Sequence, residues 1–112
     1  MPPSPSPRRF RGLPRAEVGA TAVPVAAGLG VRLLGLAHLD RERAGTGLLI
    51  PRCASVHTFG MRFALDVHFL DGELEPIAVA RNVGPRRIVS QRAAKAVLEL
   101  PADGGEPSPG RA

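Results

Sequence analysis

The stretch FGMRFALDVHFL, residues 59–70, decides the fold. Its odd positions, Phe59, Met61, Phe63, Leu65, Val67 and Phe69, are all apolar, and its even positions are mostly small or polar. Side chains of a strand point alternately to opposite faces. Apolar residues at period two therefore describe a long strand, or two strands broken by a bulge, with one face on a core. Three of the four Phe residues lie on that face. Asp71-Gly72 follows at once as a hairpin turn signal, and residues 74–83 return as the next strand, with Ile77, Val79 and Val83 sharing one parity.

Outward from this hairpin the elements are short. Thr46-Gly-Leu-Leu-Ile-Pro51 reads as a buried strand that stops at proline. Residues 20–27 read as a strand held to an edge position by Pro24. Residues 30–39, with Val31, Leu34, Leu36 and Leu39, favour a short helix weakened by Gly35. Gly84-Pro85 marks a turn, and Ile88-Val89 a short strand or connector. Residues 92–100 divide into an Ala-rich half that suits a helical turn and a VLEL half that suits a strand. The pattern predicts an α+β but mainly β fold: a small antiparallel sheet curled into a partly open barrel, with one or two short helices. Three regions follow: a Pro/Ser/Arg-rich disordered arm at 1–17, one domain at 18–102 and a flexible tail at 103–112.

The 112 residues suffice for one domain with one modest core. Cys53 is the sole cysteine, which excludes a disulfide framework. No apolar run reaches the length of a membrane span, and the first residues hold no apolar signal core, so a cytoplasmic protein is expected. The formal net charge is +5 and the sequence is strongly basic, with 14 Arg and only Lys95. That excess is confined. Residues 1–16 carry Arg8, Arg9, Arg11 and Arg15, and residues 76–98 carry Arg81, Arg86, Arg87, Arg92 and Lys95, with no acid in either stretch. An Arg-rich, Lys-poor composition is also what a GC-rich genome produces. No aromatic residue interleaves with the 76–98 cations and no zinc-finger or RNA-recognition motif is present, which argues against nucleic acid as the partner.

The run from Arg32 to Asp71 carries a resemblance. Arg32, Gly35 and Leu36 are followed by Cys53, Ser55, His57, Thr58, Met61, Arg62, Asp66 and Asp71, and then by Val97, Leu98, Glu99 and Leu100. In this order and spacing the chain resembles the domain of unknown function 192 family over about residues 22–104. It departs from the family pattern at Ala64, where members usually have proline, and in the segment after Pro101. The resemblance implies a small bacterial or archaeal domain, largely β, whose activity is not established. In actinobacteria it implies a link to envelope, pilus or secretion functions.

The polar side chains of the central block supply the candidate site. Arg62, Asp66 and His68 share the strand face opposite the Phe residues, with successive members of that face about 7 Å apart. Arg62 and Asp66 are then too far apart to pair, so each needs a partner elsewhere: Glu99 for Arg62, and an Arg from residues 81–92 for Asp66. Such pairs fit a purely structural role. Ser55, His57, Thr58, Arg62 and Asp66 together also suit an anionic or polar ligand, because hydroxyls, an imidazole and a guanidinium all hydrogen-bond anionic oxygen. The preferred reading is a non-catalytic binding or accessory module for such a ligand or for a protein partner, with no cofactor and no metal. The alternative is a small hydrolase or metal-dependent enzyme using Cys53, His57 and Asp66. A zinc site adding His68 is disfavoured, since His57 and His68 have opposite strand parity.

Overall fold

The structure is a computed structural model that describes residues 12–26, 36, 37, 39 and 47–102. The regular elements among these residues are all strands: β1 (Arg15–Val18), β2 (Thr21–Pro24), β3 (Leu48–Pro51), β4 (Ser55–His57), β5 (Leu65–Leu70), β6 (Pro76–Val83), β7 (Ile88–Ser90) and β8 (Ala96–Pro101). They form three antiparallel sheets: the β1-β2 hairpin, a four-stranded sheet in the order β3-β8-β5-β6, and the β4-β7 ribbon. β1 takes in residues on both sides of the boundary set at residue 17 from composition.

The four-stranded sheet is buried on both faces along β3 and β8, whereas β6 leaves Ile77 and Val79 exposed. Val67 and Leu48 flank Glu99, and Phe69 and Ile50 flank Val97, so these side chains form rows on one face. That face builds the larger core with Leu36, Leu39, Val56, Met61 and Leu65. The other face packs Leu49, Leu70, Ala96 and Leu98 against Val23 of the β1-β2 hairpin. Complete burial of a Leu or Val contributes about 1.5–3 kcal/mol, so Leu48, Leu65, Val67 and Val97, all at 0–1% exposure, anchor the domain. Gly47, at φ 103°, lies against β8, where an added Cβ would run into the Glu99 carbonyl and the Leu100 side chain.

Three expectations need correction. The alternation over residues 59–70 does not describe one strand. Thr58, Phe59, Gly60 and Met61 form a turn, closed by the Met61 N–H donating to the Thr58 carbonyl (3.2 Å), and the strand begins only at Leu65. Phe59 is consequently 50% exposed rather than in the core. The expected helices do not appear among the described residues. Leu36 and Ala37 lie in a turn, residues 30–35 fall outside the described set, and residues 92–93 form a turn that leads into β8. The sheets also do not close into a barrel. The β4-β7 ribbon shares no strand pairing with the four-stranded sheet, whose outer strands are β6 and β3, the latter joined to the chain after β2 by a single parallel bridge between Leu49 and Val25.

The hairpin at Asp71 holds, with a wider loop than the two-residue signal implies. Asp71 Oδ1 accepts the N–H groups of Glu73 (2.8 Å) and Glu75 (3.0 Å), and the Asp71 N–H donates to the Glu75 carbonyl (2.9 Å).

Candidate functional site

β3 stops at Pro51, and Arg52 turns the chain with φ 51°. Cys53 is half-buried against the larger core, and its thiol donates to the Ser55 carbonyl (3.2 Å). In β4 only Val56 points inward. Ser55 and His57 are therefore exposed on the outer face, and across the ribbon they meet Ser90 and Ile88, which are exposed as well. The Ser90 hydroxyl donates to Ser55 Oγ (2.7 Å). His57 leans on Phe59, with ring centroids 5.6 Å apart, and its Nδ1 accepts the Phe59 N–H (3.2 Å). That bond places any imidazole proton of the neutral ring on Nε2.

Thr58 is fully buried and joins two turns. Its N–H donates to the Arg87 carbonyl (2.8 Å), its hydroxyl donates to the Gly84 carbonyl (2.7 Å), and its Oγ1 accepts the Arg87 N–H (2.8 Å). The Arg86 N–H reaches the Thr58 carbonyl (3.4 Å). The hydroxyl's donor is thereby spent on the fold, and the side chain is fully buried. Arg86, at φ 64°, occupies a left-handed conformation that is uncommon for a residue with a side chain. Arg62, Arg86 and Arg87 are all exposed on the two joined turns.

Asp66 lies elsewhere, on the β5 face shared with His68 and Leu70. Its Oδ1 accepts the Asn82 N–H (2.8 Å), and its Oδ2 is 3.7 Å from Arg81 Nη1. An arginine from the 81–92 segment thus serves Asp66, as expected. Burial lowers the pKa of His68; neighbouring Asp66 opposes that shift and Arg81 adds to it. The expected Glu99–Arg62 pair is not what holds Glu99. Its carboxyl takes a hydrogen bond from the Leu36 backbone, its Oε1 has no partner, and burial raises its pKa to about 7. With Leu48 and Val67 beside it, Glu99 faces away from Asp66, into the larger core.

Of the five expected ligand residues, Ser55, His57 and Arg62 lie exposed on β4 and the turn that follows, Thr58 sits beneath them, and Asp66 belongs to the other sheet. Neither described bond of Cys53 or His57 joins the two side chains. Among the described residues, no three His, Cys, Asp or Glu side chains come together closely enough to hold a metal ion. Sequence reasoning did not bring Ser90, Ile88 and Phe59 to this surface. Strand pairing does so for the first two, and the turn at Gly60 for the third.

This arrangement defines a small, mainly β domain with an exposed, cation-flanked ribbon. The profile of the family described as "Uncharacterized ACR, COG1430" (DUF192) matches residues 14–106, and the chain belongs to that family. A search of curated proteins finds no match. A Sinorhizobium meliloti protein provisionally described as a transcription regulator is similar in structure, at 23% identity and a TM-score of 0.64, covering 72% of this chain and 68% of that one. A protein of unknown function from Novosphingobium aromaticivorans is similar at 16% identity and a TM-score of 0.57, covering 89% of each chain. At these identities the likeness concerns the fold alone. No helix among the described residues is long and apolar enough to cross a membrane.

Proposed function

We propose that the chain is a non-catalytic binding module for an anionic ligand, held at the outer face of β4 and β7. The observation that carries this reading is the line of exposed Ser55, Ser90 and His57 beside turns bearing Arg62, Arg86 and Arg87, with no acid in residues 43–65 or 76–98. Imidazole N–H, hydroxyl and guanidinium groups are donors suited to phosphate or carboxylate oxygen. In this reading Thr58 positions the surface and Asp66 stabilises the sheet, and neither touches the ligand. An enzyme built on Cys53, His57 and Asp66 has less support, because the hydrogen bonds of each lead away from the others. The reading places the protein in the cytoplasm, where Cys53 stays reduced.

Titration with inorganic phosphate, followed by NMR, tests it. The ring signals of His57 and the amide signals of residues 55–58 and 86–90 are expected to move together to saturation. Arg62→Ala is expected to weaken that binding by about tenfold, in line with the loss of one charge-assisted hydrogen bond. Cys53→Ser should leave it intact. Phosphate that moves no signal of this ribbon would overturn the reading.

A further inference from the structure

The ribbon and the basic turns beside it also carry two side chains that a small anion does not use. Ile88 is 68% exposed and Phe59 50% exposed. They flank one imidazole: Ile88 is the direct cross-strand partner of His57, and the Phe59 ring packs against it. Soluble proteins tolerate isolated exposed apolar residues. An apolar pair beside Arg86 and Arg87 is a different pattern, because Phe59 lies on one of the two basic turns and Ile88 directly follows the other. From this juxtaposition we propose that the outer face of β4-β7 docks on an anionic phospholipid bilayer, with Phe59 and Ile88 entering the interface and Arg62, Arg86 and Arg87 meeting the headgroups.

This inference rests on the anionic-ligand reading and names its source. Three observations favour a lipid surface. The charge is complementary to an anionic leaflet, since no acid interrupts either contributing segment. Ile88 has no π-face on which a nucleobase could stack, whereas hydrocarbon accepts Ile and Phe equally. The surface is also pre-formed. Thr58 ties residues 84, 86 and 87 to the 58–61 turn, so the apolar and basic side chains are presented without a segment having to order on contact. Of the acids nearest in sequence, Asp66 is held by the Asn82 amide and Arg81, Glu99 is buried in the larger core, and Asp71, Glu73 and Glu75 gather in the β5-β6 loop rather than on these turns. Among the described residues, that separation leaves the two turns basic, as a surface facing an anionic membrane would be.

The chain contains no Trp and no Tyr, so Phe59→Trp at this exposed position is a clean fluorescence reporter. The full chain carrying it is expected to show blue-shifted emission with vesicles of phosphatidylcholine containing about one third phosphatidylserine, and none with pure phosphatidylcholine. In co-sedimentation without the reporter, Arg86→Gln with Arg87→Gln is expected to lower partitioning by roughly fivefold per arginine. Ile88→Ser is expected to lower it further, and raised salt to abolish it. Arg8→Gln, Arg9→Gln and Arg11→Gln together provide the control for the N-terminal arginines. If that triple variant abolishes binding while the Arg86/Arg87 variant does not, the proposal falls. It also falls if an oligonucleotide shifts the reporter and vesicles do not. If phosphate moves the His57 signals but vesicles leave the emission unshifted, the membrane proposal fails while the anionic-ligand reading stands. If neither responds, both fail.

Discussion

Thr58 shows how much one side chain can organise. Its hydroxyl accepts from the Arg87 amide and donates to the Gly84 carbonyl, so Thr58→Val keeps the shape and strands both groups. A buried group left unsatisfied costs about 1–3 kcal/mol. Urea denaturation of Thr58→Val is expected to show a loss in that range, and a loss below measurement error would mean that water replaces the hydroxyl. Glu99 has the opposite character, because it costs stability when ionised. Its folded pKa of about 7 lies above the ordinary value of 4.5, so the native state holds a proton that the unfolded state releases between those pH values. Stability from this group therefore falls as pH rises from about 4.5 through 7 and is level above that, a change on the order of 3 kcal/mol. His68 works the other way. Its pKa is lowered on folding, so its contribution is present above 6.5 and is lost as pH falls through the folded value. Denaturation at pH 5.5 and pH 8 is expected to find wild type less stable at the higher pH and Glu99→Gln much less sensitive. An undiminished slope in Glu99→Gln would assign the effect to another group.

At the scale of the element, β6 bends where Asp66 holds it. The register with β5 shifts between Leu65 and Val67, opposite Asn82 at φ 55°, and Asp66 Oδ1 accepts the amide of that strained residue. The Arg81 side of the ion pair is 67% exposed and its 3.7 Å contact is long, so that pair is worth little. Asp66→Ala is expected to cost about 1–3 kcal/mol, and Arg81→Ala no more than about 0.5 kcal/mol. Equal losses would mean that the ion pair, not the amide bond, holds the bulge. The sequence made parts of this legible. Asp71-Gly72 marked the hairpin, proline marked the end of β3, and Asp66 was expected to find an arginine among residues 81–92. Other parts were hidden for physical reasons. The period-two signal continued through the 58–61 turn because Met61 faces the core as a strand residue would, so Phe59 looked buried when it is not. The VLEL half was legible as the strand that became β8, but the Ala-rich residues before it, which suited a helical turn, form only a short turn leading into that strand. Glu99 looked like a salt-bridge partner because charge is visible in a sequence and desolvation is not. The pairing of Ile88 with His57 depends on register, which no local pattern encodes.

At the scale of the molecule, the net charge of +5 hides a separation between basic turns and an acidic β5-β6 loop. The four-stranded sheet adds a constraint in time. Its order, β3-β8-β5-β6, puts β8 between two strands that precede it by dozens of residues. Before β8 is in place, β5 and β6 can pair as a local hairpin, but β3 has only the Val25–Leu49 bridge beside it, and the faces of Leu48, Leu65 and Val67 stay uncovered. The core therefore closes only when β8 has paired with both β3 and β5, and contacts of such long sequence separation form slowly. Until that one strand pairs, the apolar strands on either side of it are open to other chains, so the place of β8 in the order sets how long the folding chain is exposed to aggregation.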